Sequence, residues 1–188
     1  MHETLEHTTV NGIDVAALRG CIVDIQSDSA RGQTSWAVTS TWKGGTRSDH
    51  AVRGFGFGGR YIERPFTISV DEPHELCGTN EFANPQEYLM SALNACMMVG
   101  YSAVAALMGI TLTKLEIDLR GDIDLRGFLG IDAKVKPGYG NLQQTVRIAG
   151  DATEEQFRQL HEIIKATSPN FFNITTAIPT GSRLVIER

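Results

Sequence analysis

From Tyr88 to Thr113 the chain carries no charged residue. A run of that length either crosses a membrane or lies in a core covered on more than one side. Its start is well marked. Asn84 is placed to cap the first free N–H groups, Pro85 suits the first helical position, and Glu87 completes a capping-box arrangement. Gly109 is a natural stop. Ser91, Asn94, Gly100 and Ser102 interrupt the apolar surface. A capped start and β-rich flanks also speak for a core helix, so no membrane partner is expected. In a chain of 188 residues, a second subunit is the expected source of part of the cover.

On either side of this helix the pattern shortens to that of strands. Trp36 to Trp42 alternates loosely and ends in a turn over Lys43 to Asp49. A second strand is expected near His50, and Phe66 to Val70 forms a third before Asp71-Glu72-Pro73. Beyond the helix, Leu115, Ile117 and Leu119 interleave with Glu116, Asp118 and Arg120 as a half-buried strand. A loop over Gly121 to Asp132 follows, then strand at Val135 and over Thr145 to Ile148. Thr153 and Gln156 predict a second capping box, opening a helix with the stripe Phe157, Leu160, His161 and Ile164. That helix ends before Ser168-Pro169. Leu184 to Ile186 is expected to close a sheet, and Cys21 to lie in a strand. The order predicts an α+β protein with antiparallel sheets and a long buried central helix. Residues 1–34 form an N-terminal arm or edge segment, and residues 35–188 a single domain.

Three cysteines (Cys21, Cys77 and Cys96) are too few and too unevenly spaced for a disulfide framework, and the five histidines have no metal-ligand spacing. Neither a metal nor a cofactor is therefore expected. Met1 to His7 is acidic with no apolar stretch behind it, unlike a secretory leader. A reducing cytoplasm with free thiols is the expected setting. A net charge of −5 without any Lys/Arg run argues against nucleic acid as a partner.

Glycines 54, 56 and 59 satisfy GxGxxG. A dinucleotide site needs that motif to open a helix, and here it runs into Arg60-Tyr-Ile-Glu-Arg64-Pro65, so a hairpin is the better reading. Cys96 is the stronger chemical candidate. The default for a cysteine on an apolar helix is an inert core thiol. Against that default, Ala92 and Gly100, one turn to either side, are small enough to leave room over the sulfur. Cys96 lies eleven residues after Pro85, about three turns in, beyond the reach of the helix dipole. As a nucleophile it would need a cation or strong donor from elsewhere, and arginine suits that task. Arg47, Arg53, Arg60 and Arg64 are the candidates, and spacing alone does not choose among them.

The stretch Asn84-Pro-Gln-Glu-Tyr-Leu-Met-Ser-Ala-Leu-Asn-Ala-Cys96 resembles the NPEE…AA…C helix start of the OsmC/Ohr family of thiol peroxidases. His74-Glu-Leu-Cys-Gly78 is similar to the family's KELGG segment, and Gly44-Gly45-Thr46-Arg47-Ser-Asp to its GGRDG turn. The resemblance covers roughly residues 35–188. It implies an intertwined homodimer with sites between subunits. It implies that Cys96 attacks an organic hydroperoxide and becomes a sulfenic acid, that Arg47 stabilises the thiolate, and that an acidic residue near the helix start holds the arginine. Glu87 is the acidic residue there, but it lies nine residues from Cys96, about 180° around a straight helix. It reads as a helix cap first.

The larger departure is Ser168, which stands before Pro169 where the family has its second, resolving cysteine. The resemblance therefore implies that an external thiol (a dihydrolipoyl group or a low-molecular-weight thiol) reduces Cys96, that Cys77 resolves it, or that turnover is lost. The expected activity is a thiol-dependent organic hydroperoxide reductase. Met97, Met98 and the aromatics of the glycine-rich segment are expected to wall an alkyl substrate. The alternative is a non-enzymatic dimer that binds a small apolar ligand or senses oxidation through Cys96. A structural dimer with an inert thiol is a weaker third reading.

Overall fold

The computed structural model describes residues 9–187. The expected class is what it has: α+β, with every paired strand antiparallel. The chain divides into two compact units, one up to Ser91 and the other from Ala92.

The first unit begins with a two-residue hairpin, β1 (Thr9–Val10) and β2 (Ile13–Asp14), which leads into helix α1 (Val15–Ser27). Asp14 caps that helix by accepting from the Ala17 N–H at 2.9 Å. Cys21 therefore lies on a helix and not in a strand, a correction to the sequence reading. The first eight residues of the expected arm lie outside the described residues. Strands β3 (Thr34–Trp36), β4 (Thr39–Gly44), β5 (Arg47–Phe57) and β6 (Arg60–Val70) form one sheet. Strand β5 is central, with β6 along one edge and β3 and β4 end to end along the other.

The GxGxxG segment is a hairpin, as its context indicated. Gly58 and Gly59, both at positive φ, make the two-residue turn from β5 to β6. The register shifts at Gly54, where a Cβ would stand 2.3 Å from the Ile62 carbonyl oxygen. The motif therefore does not open a helix, as a dinucleotide site requires. Among the described residues of this unit only Gly54, Val70 and Asp71 are buried. Trp36, Trp42, Tyr61 and Phe66 are all more than half exposed.

Helix α2 (Pro85–Leu107) is the charge-free run. It starts as expected: Asn84 Oδ1 accepts from the Glu87 N–H at 2.9 Å, and Glu87 Oε2 accepts from the Asn84 N–H at 2.8 Å. It ends at Gly109, whose left-handed φ of 72° lets the Ile110 N–H reach back to the Ala105 carbonyl at 2.9 Å.

In the second unit, β7 (Leu112–Arg120) leads through the short helix α3 (Leu125–Phe128) to β8 (Gln143–Gly150), its antiparallel partner. Val135 lies in a turn outside the ladder. Helix α4 (Glu154–Thr167) opens on the Thr153–Gln156 capping box, and helix α5 (Pro169–Thr175) follows at once. The core gathers Leu93, Met97, Tyr101 and Ala105 of α2 with Ile110, Ile117 of β7, and Leu160 and Ile164 of α4. Those α2 positions recur every four residues, one stripe of the helix. Away from that stripe, Val99 is 69% exposed. Leu184 to Ile186 is not a strand and has no ladder partner among the described residues, so the expected closing strand is not formed among them.

Candidate active site

Within the second unit, helices α2 and α4–α5 run alongside each other in opposite senses. Asn170 Nδ2 donates to the Ala92 carbonyl at 2.9 Å. Ser168 Oγ donates to Cys96 Sγ at 3.4 Å. Ile164 Cδ1 reaches within 3.1 Å of where a Gly100 Cβ would stand. His161 Nδ1 shares a short hydrogen bond with Tyr101 Oη. As the α2 numbers rise, the partner numbers fall. This seam places a half-buried free thiol beside the junction of α4 and α5.

The junction is made by Ser168. Its N–H closes α4 onto the Ile164 carbonyl at 2.9 Å, and its hydroxyl accepts from the Phe171 N–H at 3.4 Å to cap α5. Pro169 occupies the first position of α5, where a missing N–H costs nothing. The serine is 5% exposed, so its side chain is buried with both its partners met. At Gly100 the missing side chain makes room for Ile164, while Ala92 is exposed and has its carbonyl engaged by Asn170 at 2.9 Å.

Met97 is also corrected. It is fully buried in the core, with its sulfur accepting from Gln144 Nε2 at 3.2 Å, so it cannot wall a substrate. Asn94, which needed partners on an apolar helix, donates to the Ile117 carbonyl at 3.1 Å and accepts from Gln144 at 3.3 Å. Burial, with the Glu162 charge adding to it, pushes the Tyr101 phenol up to about 12. It stays protonated at neutral pH, and His161 is a satisfied histidine at the core edge.

In the first unit the four arginines separate by their surroundings. Arg47, at the start of β5, pairs with Glu81 at 3.0 Å and lies over the Phe82 ring at 5.2 Å. Arg64 stacks on Phe66 at 4.7 Å. Among the described residues, neither Arg53, Arg60 nor Arg64 has an acidic partner. Glu87 serves the α2 cap, so the carboxylate that holds Arg47 is Glu81.

Glu81 is itself fixed by a buried carboxylate. Asp71 Oδ2 accepts from the Thr79 hydroxyl at 2.6 Å, the Thr79 N–H at 2.9 Å and the Glu81 N–H at 3.3 Å. Its Oδ1 accepts from the Thr46 hydroxyl at 2.7 Å. These donors, the Thr79 hydroxyl foremost, hold the Asp71 carboxyl well below the usual carboxylate range against the opposing effect of burial. Asp71 thus ties the turn bearing Thr46 and Arg47 to the loop bearing Glu81. Cys77 sits on the same loop segment, exposed, with a left-handed φ of 65°. Among the described residues no group of His, Cys, Asp and Glu could hold a metal ion.

Three antiparallel sheets in an α+β chain, with a thiol on the long helix against a capped helix junction, define the class as that of a thiol-bearing OsmC-type fold. The OsmC-like protein family profile matches residues 78–182, more than half the chain, and the chain belongs to that family. An OsmC-like protein from Mycoplasma pneumoniae is similar in structure, with 16% identity, a TM-score of 0.57, and coverage of 75% of this chain and 87% of that one. A candidate osmotic-stress-induced and detoxification-response protein from Psychrobacter arcticus 273-4 is similar at 14% identity and a TM-score of 0.53, covering 71% and 84%. No curated protein matches the chain in sequence.

Proposed function

We propose that the protein is a thiol-dependent organic hydroperoxide reductase, working as a homodimer in the cytoplasm, with Cys96 as the reacting thiol. The observation that carries this reading is the setting of Cys96: a half-buried free thiol with a serine hydroxyl on its sulfur at 3.4 Å. The thiolate is the form of a cysteine that attacks, and a hydroxyl donor is suited to contact it. Membership of the OsmC-like family supports the same reading. The exposed Trp36, Trp42, Tyr61 and Phe66 on the first sheet support a second copy as cover.

The chemistry balances without a cofactor. The Cys96 thiolate attacks the terminal oxygen of ROOH, an S–O bond forms, and the O–O bond breaks. The electron pair leaves on RO⁻, which takes a proton from solvent to give ROH. Cys96 becomes a sulfenic acid, oxidised by two electrons. An external thiol then attacks the sulfur and releases water, and a second thiol reduces the mixed disulfide. Arg47, the arginine that the resemblance implies for the thiolate and the leaving oxygen, is paired with Glu81 at 3.0 Å.

Steady-state reduction of cumene hydroperoxide with dithiothreitol or dihydrolipoamide tests the proposal. Turnover that disappears in Cys96→Ser and persists in Cys77→Ser supports it. Oxidation of Cys96 without turnover would instead mark a sensor, and turnover unaffected by Cys96→Ser would reject both.

A further inference from the structure

Ser168 does more than fill a position. Its N–H, carbonyl and hydroxyl oxygen are all engaged, with Ile164, Phe172 and Phe171 respectively. The hydroxyl accepts from the Phe171 N–H at 3.4 Å and lies 3.4 Å from Cys96 Sγ, in position to donate its proton to the sulfur. Turning that hydroxyl away would cost α5 its cap.

We propose that Ser168 is a catalytic hydrogen-bond donor to the Cys96 sulfur, activating it before reaction and remaining on it in the sulfenic acid. The second half rests on the peroxidase reading of Cys96; the first half does not. In this arrangement the oxidised sulfur faces a hydroxyl that cannot condense with it, so the sulfenic acid persists until a thiol arrives from solution. Ser168 therefore sets both the reactivity of the thiol and the class of reductant that closes the cycle.

Cap and donor roles separate by choice of substitution. Glycine at an N-cap costs helix stability only a few tenths of a kcal/mol, yet lacks the hydroxyl; threonine keeps both functions. The rate of Cys96 alkylation by iodoacetamide at neutral pH, in a Cys21→Ser/Cys77→Ser background, reads the reactivity of the sulfur without any peroxide. Ser168→Gly and Ser168→Ala are expected to react about tenfold more slowly, from the loss of one charge-assisted donor. Ser168→Thr is expected to stay within about twofold of the parent by keeping the donor. A Ser168→Gly protein with native circular dichroism that alkylates at the parental rate would overturn the proposal. Slowed alkylation in a protein that fails to reduce peroxide would uphold the donor role and reject the peroxidase reading.

Discussion

The contact of Gly100 with Ile164 sets how closely α2 approaches α4, and a mutant cycle measures it. A Cβ at Gly100 would stand 3.1 Å from Ile164 Cδ1 and 3.5 Å from its Cγ2. Carbon atoms prefer about 3.5–4.0 Å, and Ile164 is fully buried with no free direction. Gly100→Ala therefore combines two opposed effects. Alanine gains about 1 kcal/mol of helix propensity, and overpacking removes about 1–2 kcal/mol. The single variant is expected within about 1 kcal/mol of the parent. Ile164→Val alone deletes Cδ1 and costs about 1 kcal/mol. Made in the Gly100→Ala background, the same deletion removes the atom in closest conflict and is expected to cost almost nothing. The coupling, about 1 kcal/mol, is read from urea denaturation followed by far-ultraviolet circular dichroism. Additivity within about 0.3 kcal/mol would refute the reasoning, since it is the behaviour of sites that do not touch. The cycle also bears on the site. Cys96 lies one turn before Gly100 and Ser168 one turn after Ile164, so Gly100→Val, which pries the helices apart, is expected to slow Cys96 alkylation as well.

Ser168→Cys places a second sulfur where the hydroxyl now stands, about 1.4 Å beyond disulfide bonding distance. One equivalent of cumene hydroperoxide is expected to leave that variant two mass units lighter, not sixteen heavier, by intact mass spectrometry. Cys77→Gly relieves a non-glycine residue at a φ of 65°, and urea denaturation should show a gain of about 0.5–1 kcal/mol. Asp71 has its folded pKa lowered. The stability it contributes is full above the ordinary carboxylate pKa of about 3.9 and is lost as pH falls toward its value in the fold. Asp71→Asn should therefore lower the melting temperature at pH 7 and flatten its fall below pH 4, measured by calorimetry.

Much of this was legible in the residues because local chemistry dictates it. Asn84-Pro85-Gln86-Glu87, Gly109 and the Thr153–Gln156 box mark helix ends through backbone groups a few residues away, and each forms as read. Features that depend on distant partners were not legible. Cys21 was expected in a strand, whereas it lies on α1 among Ile22, Val23 and Ile25, whose branched side chains do not mark a helix. Ser168-Pro169 was read as a stop, although proline at a first helical position also starts α5. Glu81 was passed over for Glu87 because its place beside Arg47 depends on Asp71, a carboxylate far along the chain from Thr46. Met97 was read as a wall because periodicity does not say which side of an all-apolar helix faces the sheet.

The central claim is that Cys96 is the thiol that meets the peroxide. Reduced protein given one equivalent of cumene hydroperoxide in the presence of dimedone, then digested and sequenced by mass spectrometry, reports which of the three cysteines became a sulfenic acid. The dimedone adduct is expected on Cys96, formed before any modification of Cys21 or Cys77. An adduct on either of those with Cys96 still reduced would contradict the account.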